Sequence, residues 1–118
     1  MYMEKGSITI RYLQRYIASK QNQLDDYDQN TAYIKLVEEV GELARAIIHR
    51  GGHAAGPDAL KGTLEEELCD ILYYTLKLAN TMGVDLETWV PLKEAYNNSR
   101  YPSGIEFDPA DESVYREK

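Results

Sequence analysis

The sequence has 118 residues, of which 43% are hydrophobic and 28% charged, so the chain is long enough for one globular domain and too apolar for a disordered one. Its 20 acidic and 13 basic residues give a formal net charge of −7. This excess of acid argues against nonspecific nucleic-acid binding, since such binding needs a basic face to neutralise phosphates.

Four helical segments are predicted along the chain, and none of them alternates in the manner of a strand. The first covers residues 8–21, with Ser7 as a candidate N-cap. The second covers residues 31–50, from a candidate cap at Asn30 to a glycine pair that is typical of a helix C-terminus.

The third and fourth segments carry equally clear boundary signals. Thr63 and Glu66 predict a capping box at the start of a helix over residues 64–82. Asp85 is a candidate cap for a fourth helix, which is expected to end near residue 99, ahead of a Tyr-Pro step.

Together these segments predict an all-α fold, with residues 1–102 forming one four-helix bundle. Residues 103–118 are acidic and are expected to be a mobile tail. The single cysteine, Cys69, excludes an intramolecular disulfide, and no stretch approaches the roughly 20 apolar residues of a membrane span. Because the N-terminus also lacks the apolar segment of a signal peptide, we expect a cytoplasmic protein.

The second and third helices carry acidic residues at the borders of their apolar faces. At about 100° per residue, Glu39 lies at the edge of the apolar arc of the second helix, with Glu42 roughly 60° farther round and Glu38 nearly opposite. In the third helix Glu67 falls within the apolar face, which is expected to point inward, and Asp70 lies at its outer edge. The two apolar faces comprise Tyr33, Leu36, Val37, Val40, Leu43, Ala44, Ile47 and Ile48 in the second helix, and Leu64, Leu68, Ile71, Leu72, Thr75, Leu78, Ala79 and Met82 in the third.

Carboxylates that converge in this way repel one another unless a proton or a cation neutralises them. A hard divalent cation such as Mg²⁺ or Mn²⁺ prefers carboxylate oxygens, whereas zinc is disfavoured because both histidines lie off the acidic stripe and the cysteine stands alone. The candidate ligands are Glu39, Glu42, Glu67 and Asp70. Spacing alone does not separate a metal site from a solvated acidic face. We expect Glu38, Glu65 and Glu66 to belong to a solvated face.

Three ordered elements of the sequence resemble a known family. Glu38-Glu39-x-x-Glu42, followed after 24 residues by Glu67-x-x-Asp70, is similar to the metal-binding signature of the MazG-type all-α nucleoside triphosphate pyrophosphohydrolases. The local sequences EEVGELA and EELCDILYY agree with it, and KEAYNNSRYP resembles the Lys-x-x-x-Asn-x-x-Arg-Tyr-Pro segment of several members. The resemblance covers about residues 31–102.

This resemblance implies hydrolysis of a nucleoside triphosphate between its α and β phosphates, with Mg²⁺ as the cofactor and Mn²⁺ as a substitute. Glu38 and Glu39 are implied to be catalytic, with Glu38 either an outer-shell metal ligand or a base that orients the attacking water. The implied metal ligands are again Glu39, Glu42, Glu67 and Asp70, and the implied substrate-binding residues are Lys93, Asn97, Arg100 and Tyr101. Tyr74 shares the flank of Glu67, so it is better placed than Tyr73 to touch the substrate.

Two alternatives of different classes stay open. Phosphoribosyl-ATP pyrophosphohydrolase of histidine biosynthesis resembles the same family in fold and chemistry, and a nonenzymatic helical interaction module would also carry a solvated acidic face. We expect the nucleotide enzyme in a house-cleaning role, without a nucleic-acid or membrane partner. A homodimer or a dimer of dimers is expected, because four short helices with long apolar arcs fit an oligomer better than a monomer.

Overall fold

The computed structural model describes residues 8–24, 29–49 and 52–109. Its helices are α1 (Ile10–Leu24), α2 (Gln29–Ile48), α3 (Leu64–Thr81) and α4 (Leu86–Arg100), with a short 3₁₀ turn at Pro57–Ala59. No strand occurs within the described ranges, so the prediction of an all-α chain with four helices is confirmed. None of these helices combines the length and the apolar character that crossing a membrane requires.

The first two helices begin at other residues than the sequence predicts. α1 begins at Ile10, and the hydroxyl oxygen of Thr9 accepts a hydrogen bond from the Tyr12 N–H at 3.0 Å. Thr9 therefore satisfies an N–H group of the first turn, while Ser7 lies outside the described residues. Asn30 lies inside α2, so the prediction of a cap at this residue is wrong.

The start of α3 follows the sequence prediction closely. Thr63 Oγ1 accepts a hydrogen bond from the Glu66 N–H at 3.3 Å and caps the helix. The Glu66 carboxylate accepts from the Gly62 N–H at 2.8 Å, one residue before the backbone group that a capping box uses. Gly83 follows the helix with φ of +70°, a left-handed conformation that glycine adopts without strain.

Glu65 fixes the loop between α2 and α3, although its place on the helical wheel predicts a solvated side chain. Its carboxylate accepts a hydrogen bond from the Ala54 N–H at 2.8 Å and lies 2.7 Å from Nδ1 of His53. The Ala54 N–H, followed by the His53 ring, holds the pKa of the Glu65 carboxyl below its ordinary value. The Glu65 side chain stays 42% exposed, as its place on the helix predicts, and it also holds residues 53 and 54 against the first turn of α3, which the helical pattern does not indicate.

A buried polar pair sets the register of α1 on α3. Gln14 is only 7% exposed, and its Nε2 donates to Asn80 Oδ1 and to the Val84 carbonyl oxygen, each at 2.9 Å. Its Oε1 accepts from the Leu86 N–H at 3.0 Å, and Asn80 Nδ2 donates back to the Gln14 carbonyl oxygen at 2.9 Å. Because every polar atom of the Gln14 side chain is bonded, a shift of α1 along α3 would leave buried groups unpaired.

The apolar faces of α2 and α3 are only partly covered within one chain. On α3, Leu68 and Leu72 are more than half exposed, and on α2 the buried apolar residues are the small Ala32 and Ala46. The expectation that the apolar face of the third helix points inward is therefore met only in part within the single chain. Each helix buries only the narrow stripe that its neighbour can reach. The large hydrophobic residues of α2 that are at least half exposed are Tyr33, Ile34, Val37, Val40, Ile47 and Ile48.

The chain forms two compact units, one that ends at Leu86 and one that begins at Glu87. In the second unit, α4 contains Pro91, which removes one N–H donor from the helix. The segment after α4 lies against that helix, where Asn98 Nδ2 donates to the Ile105 carbonyl oxygen at 3.4 Å. The mobile tail at residues 103–118 stays a prediction, since residues 110–118 are outside the described part of the chain.

Candidate metal centre

Three carboxylates from two helices meet in the first compact unit. Glu39 of α2 and Glu67 and Asp70 of α3 each offer one oxygen, and these oxygens lie within 4.8 Å of one another. A spacing of three residues places both α3 acids on one face of that helix. The packing of α2 against α3 then brings Glu39 to the same place. We call these three side chains the acidic cluster.

Glu67 is the buried member of the acidic cluster. It is 6% exposed, and its Oε2 atom has no hydrogen-bond partner within the described part of the chain. Burial and the neighbouring carboxylates, that of Glu39 foremost, raise the pKa of the Glu67 carboxyl from its ordinary 4.5 to about 7. An unpartnered buried oxygen is destabilising, and it marks a position that a bound ligand would complete.

Asp70 is half-buried, and the pKa of its carboxyl is raised, as that of Glu67 is. Burial raises the pKa of the Asp70 carboxyl, the charges of Glu39 and Glu66 add to this effect, and the Lys35 ammonium opposes it. Neighbouring carboxylates thus disfavour ionisation of each other at this point of the fold. A cation bound among them would reverse that effect and favour the charged forms.

The ligand atoms of the acidic cluster fit a hard divalent cation. All three are carboxylate oxygens, and the Glu67 carboxyl carries an Oε2 with no hydrogen-bond partner among the described residues. Because the three oxygens lie within 4.8 Å of one another, one small cation can be shared among them. A set with neither histidine nor cysteine suits Mg²⁺ or Mn²⁺ better than zinc.

The other two acids of the predicted site lie outside the acidic cluster. Glu42 and Glu67 line the same cavity of about 200 Å³, and the Glu42 carboxylate lies 3.7 Å from Nε of Arg45. Glu42 is therefore a neighbour of the cluster without belonging to it. Glu38 is exposed, and its carboxylate forms an ion pair with the Lys35 ammonium at 3.0 Å.

Lys35 is a residue of this region that sequence reasoning missed. Its ammonium pairs with the Glu38 carboxylate, and its charge lowers the pKa of Asp70 against the larger effect of burial. The sequence spacing could have indicated its position, because Lys35 precedes Glu38 by three residues and Glu39 by four. It therefore lies on the same side of α2 as these two acids.

The predicted substrate-binding residues belong to the second compact unit, where Lys93, Asn97 and Arg100 share one face of α4 by their spacing. Arg100 Nη1 donates to the Tyr96 hydroxyl oxygen at 2.8 Å, and the Lys93 ammonium lies 4.9 Å from the centroid of the Tyr96 ring. Tyr101 is exposed, with its ring centroid 5.8 Å from the Arg100 guanidinium. Tyr96 was missed from the sequence, although it lies three residues after one cation and four before the other.

The buried Glu67 carboxyl predicts that the metal-free protein becomes more stable as the pH falls from about 8 to about 6. Its pKa is 4.5 ordinarily and about 7 in the fold, so between these values the folded chain binds a proton that the unfolded chain has released. Stability is therefore lost as the pH rises through 7. Thermal unfolding in EDTA at the two pH values measures the change, which Glu67→Gln should remove. A wild-type melting temperature that falls on acidification over this range would contradict the expectation.

Comparison with known proteins connects this geometry with a family. The model of the MazG nucleotide pyrophosphohydrolase domain matches residues 28–102. The dCTP pyrophosphatase 1 of Bos taurus is 35% identical over 97 residues, and that of Homo sapiens is 33% identical over 100 residues. These alignments cover 79% and 81% of the chain. They span 57% and 59% of the relatives, so the chain matches little more than half of their length.

A solved structure extends the similarity to the fold. The crystal structure of iMazG from Vibrio DAT 722 is 38% identical in sequence and superposes with a TM-score of 0.67. The superposition covers 80% of the chain and 99% of iMazG. The range matched by the family model includes the three acids of the cluster and the four residues predicted to bind substrate.

Proposed function

The chain belongs to the MazG nucleotide pyrophosphohydrolase family, as its motifs predict, and from this premise we propose that it hydrolyses nucleoside triphosphates between the α and β phosphates. The products are a nucleoside monophosphate and pyrophosphate, and the cofactor is Mg²⁺, for which Mn²⁺ can substitute. The observation that carries the proposal is the buried Oε2 of Glu67, which has no partner in the described part of the chain, beside Glu39 and Asp70.

The acidic cluster holds the cation in this proposal, and Glu42 supports it from the cavity that it shares with Glu67. When bound there, Mg²⁺ supplies Lewis-acid polarisation of a phosphate oxygen and lowers the pKa of a coordinated water. The need for a cation follows from charge, because a triphosphate and a group of carboxylates repel each other, and the net charge of −7 adds to that repulsion.

Two neighbouring carboxylates of α2 take the catalytic roles. Attack on the α phosphorus requires a water molecule that gives up a proton, and Glu39 is the acid of α2 that lies within the cluster and can accept it. Glu38 lies outside the cluster, paired with Lys35, and helps to orient the water from there.

The residues of α4 bind the substrate. The planar guanidinium of Arg100 suits a bidentate contact with a phosphate, and the ammonium of Lys93 supplies a point charge. Both cations contact Tyr96, Arg100 through a hydrogen bond to its hydroxyl and Lys93 through its ring. Asn97 and Tyr101 provide neutral hydrogen-bonding groups for the nucleotide.

Deoxynucleoside triphosphates, unmodified or damaged, are the substrates that we propose, in a house-cleaning role. dCTP is the first to test, because the relatives from Bos taurus and Homo sapiens are dCTP pyrophosphatases. The exposed apolar residues of α2 and α3 support a homodimer or a dimer of dimers, since association would cover them. Light scattering coupled to gel filtration measures that mass, and a monomer at micromolar concentration would contradict this part of the proposal.

A panel of nucleoside triphosphates, deoxynucleoside triphosphates and damaged deoxynucleoside triphosphates tests the reaction. Each is incubated with the wild-type chain in Mg²⁺, in Mn²⁺ and in EDTA, and the products are separated by ion-exchange chromatography. We expect a monophosphate and pyrophosphate with either metal and no product in EDTA. A diphosphate with orthophosphate would place the cut at another bond and overturn the proposal, as would the absence of product from every nucleotide.

A further inference from the structure

One face of α4 carries a tryptophan in line with two cations. At about 100° per residue, the positions of Trp89, Lys93, Tyr96 and Arg100 fall within a sector of roughly 60° around the helix. Trp89 precedes Lys93 by four residues, so their Cα atoms lie on successive turns, about 6 Å apart along the axis. We call these four side chains the α4 face.

Neither cation of the α4 face pairs with a carboxylate within the described part of the chain. The Lys93 ammonium lies 4.9 Å from the centroid of the Tyr96 ring, and the Arg100 guanidinium lies 5.4 Å from that centroid and donates to the Tyr96 hydroxyl. A tyrosine attracts cations but does not neutralise their charge. On a chain with a formal net charge of −7, this face therefore carries positive charge that attracts an anion.

Trp89 is the aromatic residue of the α4 face whose ring is open. The Tyr96 ring lies 4.9 Å from the Lys93 ammonium, whereas no cation or second ring contacts Trp89 among the described residues. The Trp89 side chain is 57% exposed. Asn98, the residue of α4 that bonds to Ile105, lies on the opposite side of the helix, so the segment after α4 contacts the face that Trp89 does not occupy. An exposed indole of this kind is available for stacking.

We propose that Trp89 stacks on the base of the nucleotide whose phosphates Lys93 and Arg100 bind. A face with an open aromatic ring one turn from two unpaired cations matches a ligand that has a flat base at one end and phosphates at the other. Stacking adds affinity for any nucleobase, because each base has a π face. This inference rests on the proposed function, since its ligand is the substrate of that reaction.

A subunit contact is the competing role for an exposed tryptophan. It is disfavoured because Lys93 and Arg100 lie about one and three turns farther along the same face. Covering Trp89 with another chain would bring these cations into the interface, and burying a cation without an anionic partner is costly. In a two-fold dimer formed through this face, the cations of one chain would also lie near those of the other.

The fluorescence of Trp89 tests the stacking directly, because the chain has one tryptophan. The wild type is titrated in Mg²⁺ with dAMP, dCMP, dGMP and dTMP, which have no bond between α and β phosphates to cleave. Inorganic tripolyphosphate, which has phosphates without a base, is the control ligand. After correction for absorption by the base, we expect saturable quenching by at least one deoxynucleotide and none by tripolyphosphate.

Substitutions of Trp89 measure its contribution to binding, with the Kd of the best-binding deoxynucleotide determined by titration calorimetry. Trp89→Leu removes the ring and should weaken binding about tenfold, whereas Trp89→Phe keeps a ring and should stay within about threefold of the wild type. Trp89→Leu should also raise KM for the triphosphate about tenfold while kcat stays within about threefold. Tyr12→Leu is the matched control and should bind as the wild type does, since Tyr12 of α1 is 57% exposed, as Trp89 is.

Several results would overturn the inference. These are unchanged fluorescence with all four deoxynucleotides, equal quenching by tripolyphosphate, wild-type affinity in Trp89→Leu, or an equal loss of affinity in the Leu and Phe variants. A lower mass of Trp89→Leu than of the wild type in light scattering would identify a subunit contact instead.

Wild-type pyrophosphate release, measured in parallel, separates this inference from the proposed function. If the wild type releases pyrophosphate while Trp89→Leu binds deoxynucleotides normally, the role of Trp89 alone fails. If deoxynucleotides quench Trp89 and depend on it for affinity but no triphosphate is cleaved, the proposed reaction fails and Trp89 stands as part of a nucleotide-binding site.

Discussion

Glu67→Gln is expected to lower kcat for pyrophosphate release by more than about 100-fold. Removing a group that only hydrogen-bonds to a metal ligand costs about 10- to 100-fold, so a larger loss indicates that Glu67 binds the metal itself. The amide removes a charged oxygen from the acidic cluster without changing its shape. The same variant should make the metal-free protein more stable above pH 7, because it removes a buried charge whose Oε2 has no partner in the described residues. Initial rates with dCTP and Mg²⁺, and thermal unfolding in EDTA, measure the two effects.

These opposite changes in activity and stability separate a ligand from a packing residue. Glu106→Gln makes the same substitution at an exposed position and should leave both quantities unchanged. A rate within about threefold of the wild type in Glu67→Gln would contradict its role as a ligand. A loss of rate together with a lower melting temperature would indicate that Glu67 serves packing instead.

Mg²⁺ is expected to stabilise the wild-type chain by about 2.7 kcal/mol when it is present at 100 times its Kd, because the ion binds the folded cluster and not the unfolded chain. For a chain of this size the gain corresponds to roughly 10 °C in Tm. Asp70→Asn should lose most of this shift, since it removes one of the three carboxylates that lie within 4.8 Å of one another. Thermal unfolding over a Mg²⁺ titration measures the shift.

Asp58→Asn is the matched control for this titration, because Asp58 is exposed in the 3₁₀ turn and lies outside the acidic cluster. It should keep the whole wild-type shift. If Asp70→Asn were stabilised as much as the wild type, Mg²⁺ would bind elsewhere on this acidic chain, and the cluster would be a group of carboxyls that share protons.

The parts of the site that the sequence predicts are those whose information is local. An acid inside an apolar helical pattern predicts its own burial, and Glu67 is buried on α3. The cap at Thr63 likewise depends on residues within one turn, and its hydrogen bond to the Glu66 N–H is present. The order and spacing of the three motifs were enough to predict the family and the all-α fold.

The remaining features depend on contacts between elements, which periodicity does not encode. A helical wheel treats every apolar residue of α2 as inward-facing, yet Val40 and Ile47 are exposed because α3 reaches only one stripe of the helix. The partners of Glu65 come from a loop whose path no pattern predicts. Lys20 and Lys77 belong to helices that are distant in sequence, so their contacts with one tyrosine ring appear only in the folded chain.

Crystals of the wild-type chain grown with Mn²⁺ would test most directly whether Glu39, Glu67 and Asp70 hold one divalent cation. Anomalous diffraction should show a peak with carboxylate oxygens of all three residues within about 2.5 Å. This result would place the cofactor of the proposed reaction at the buried Glu67 carboxyl. A peak coordinated by other residues, or no peak at the acidic cluster in saturating Mn²⁺, would contradict the site and the reaction proposed from it.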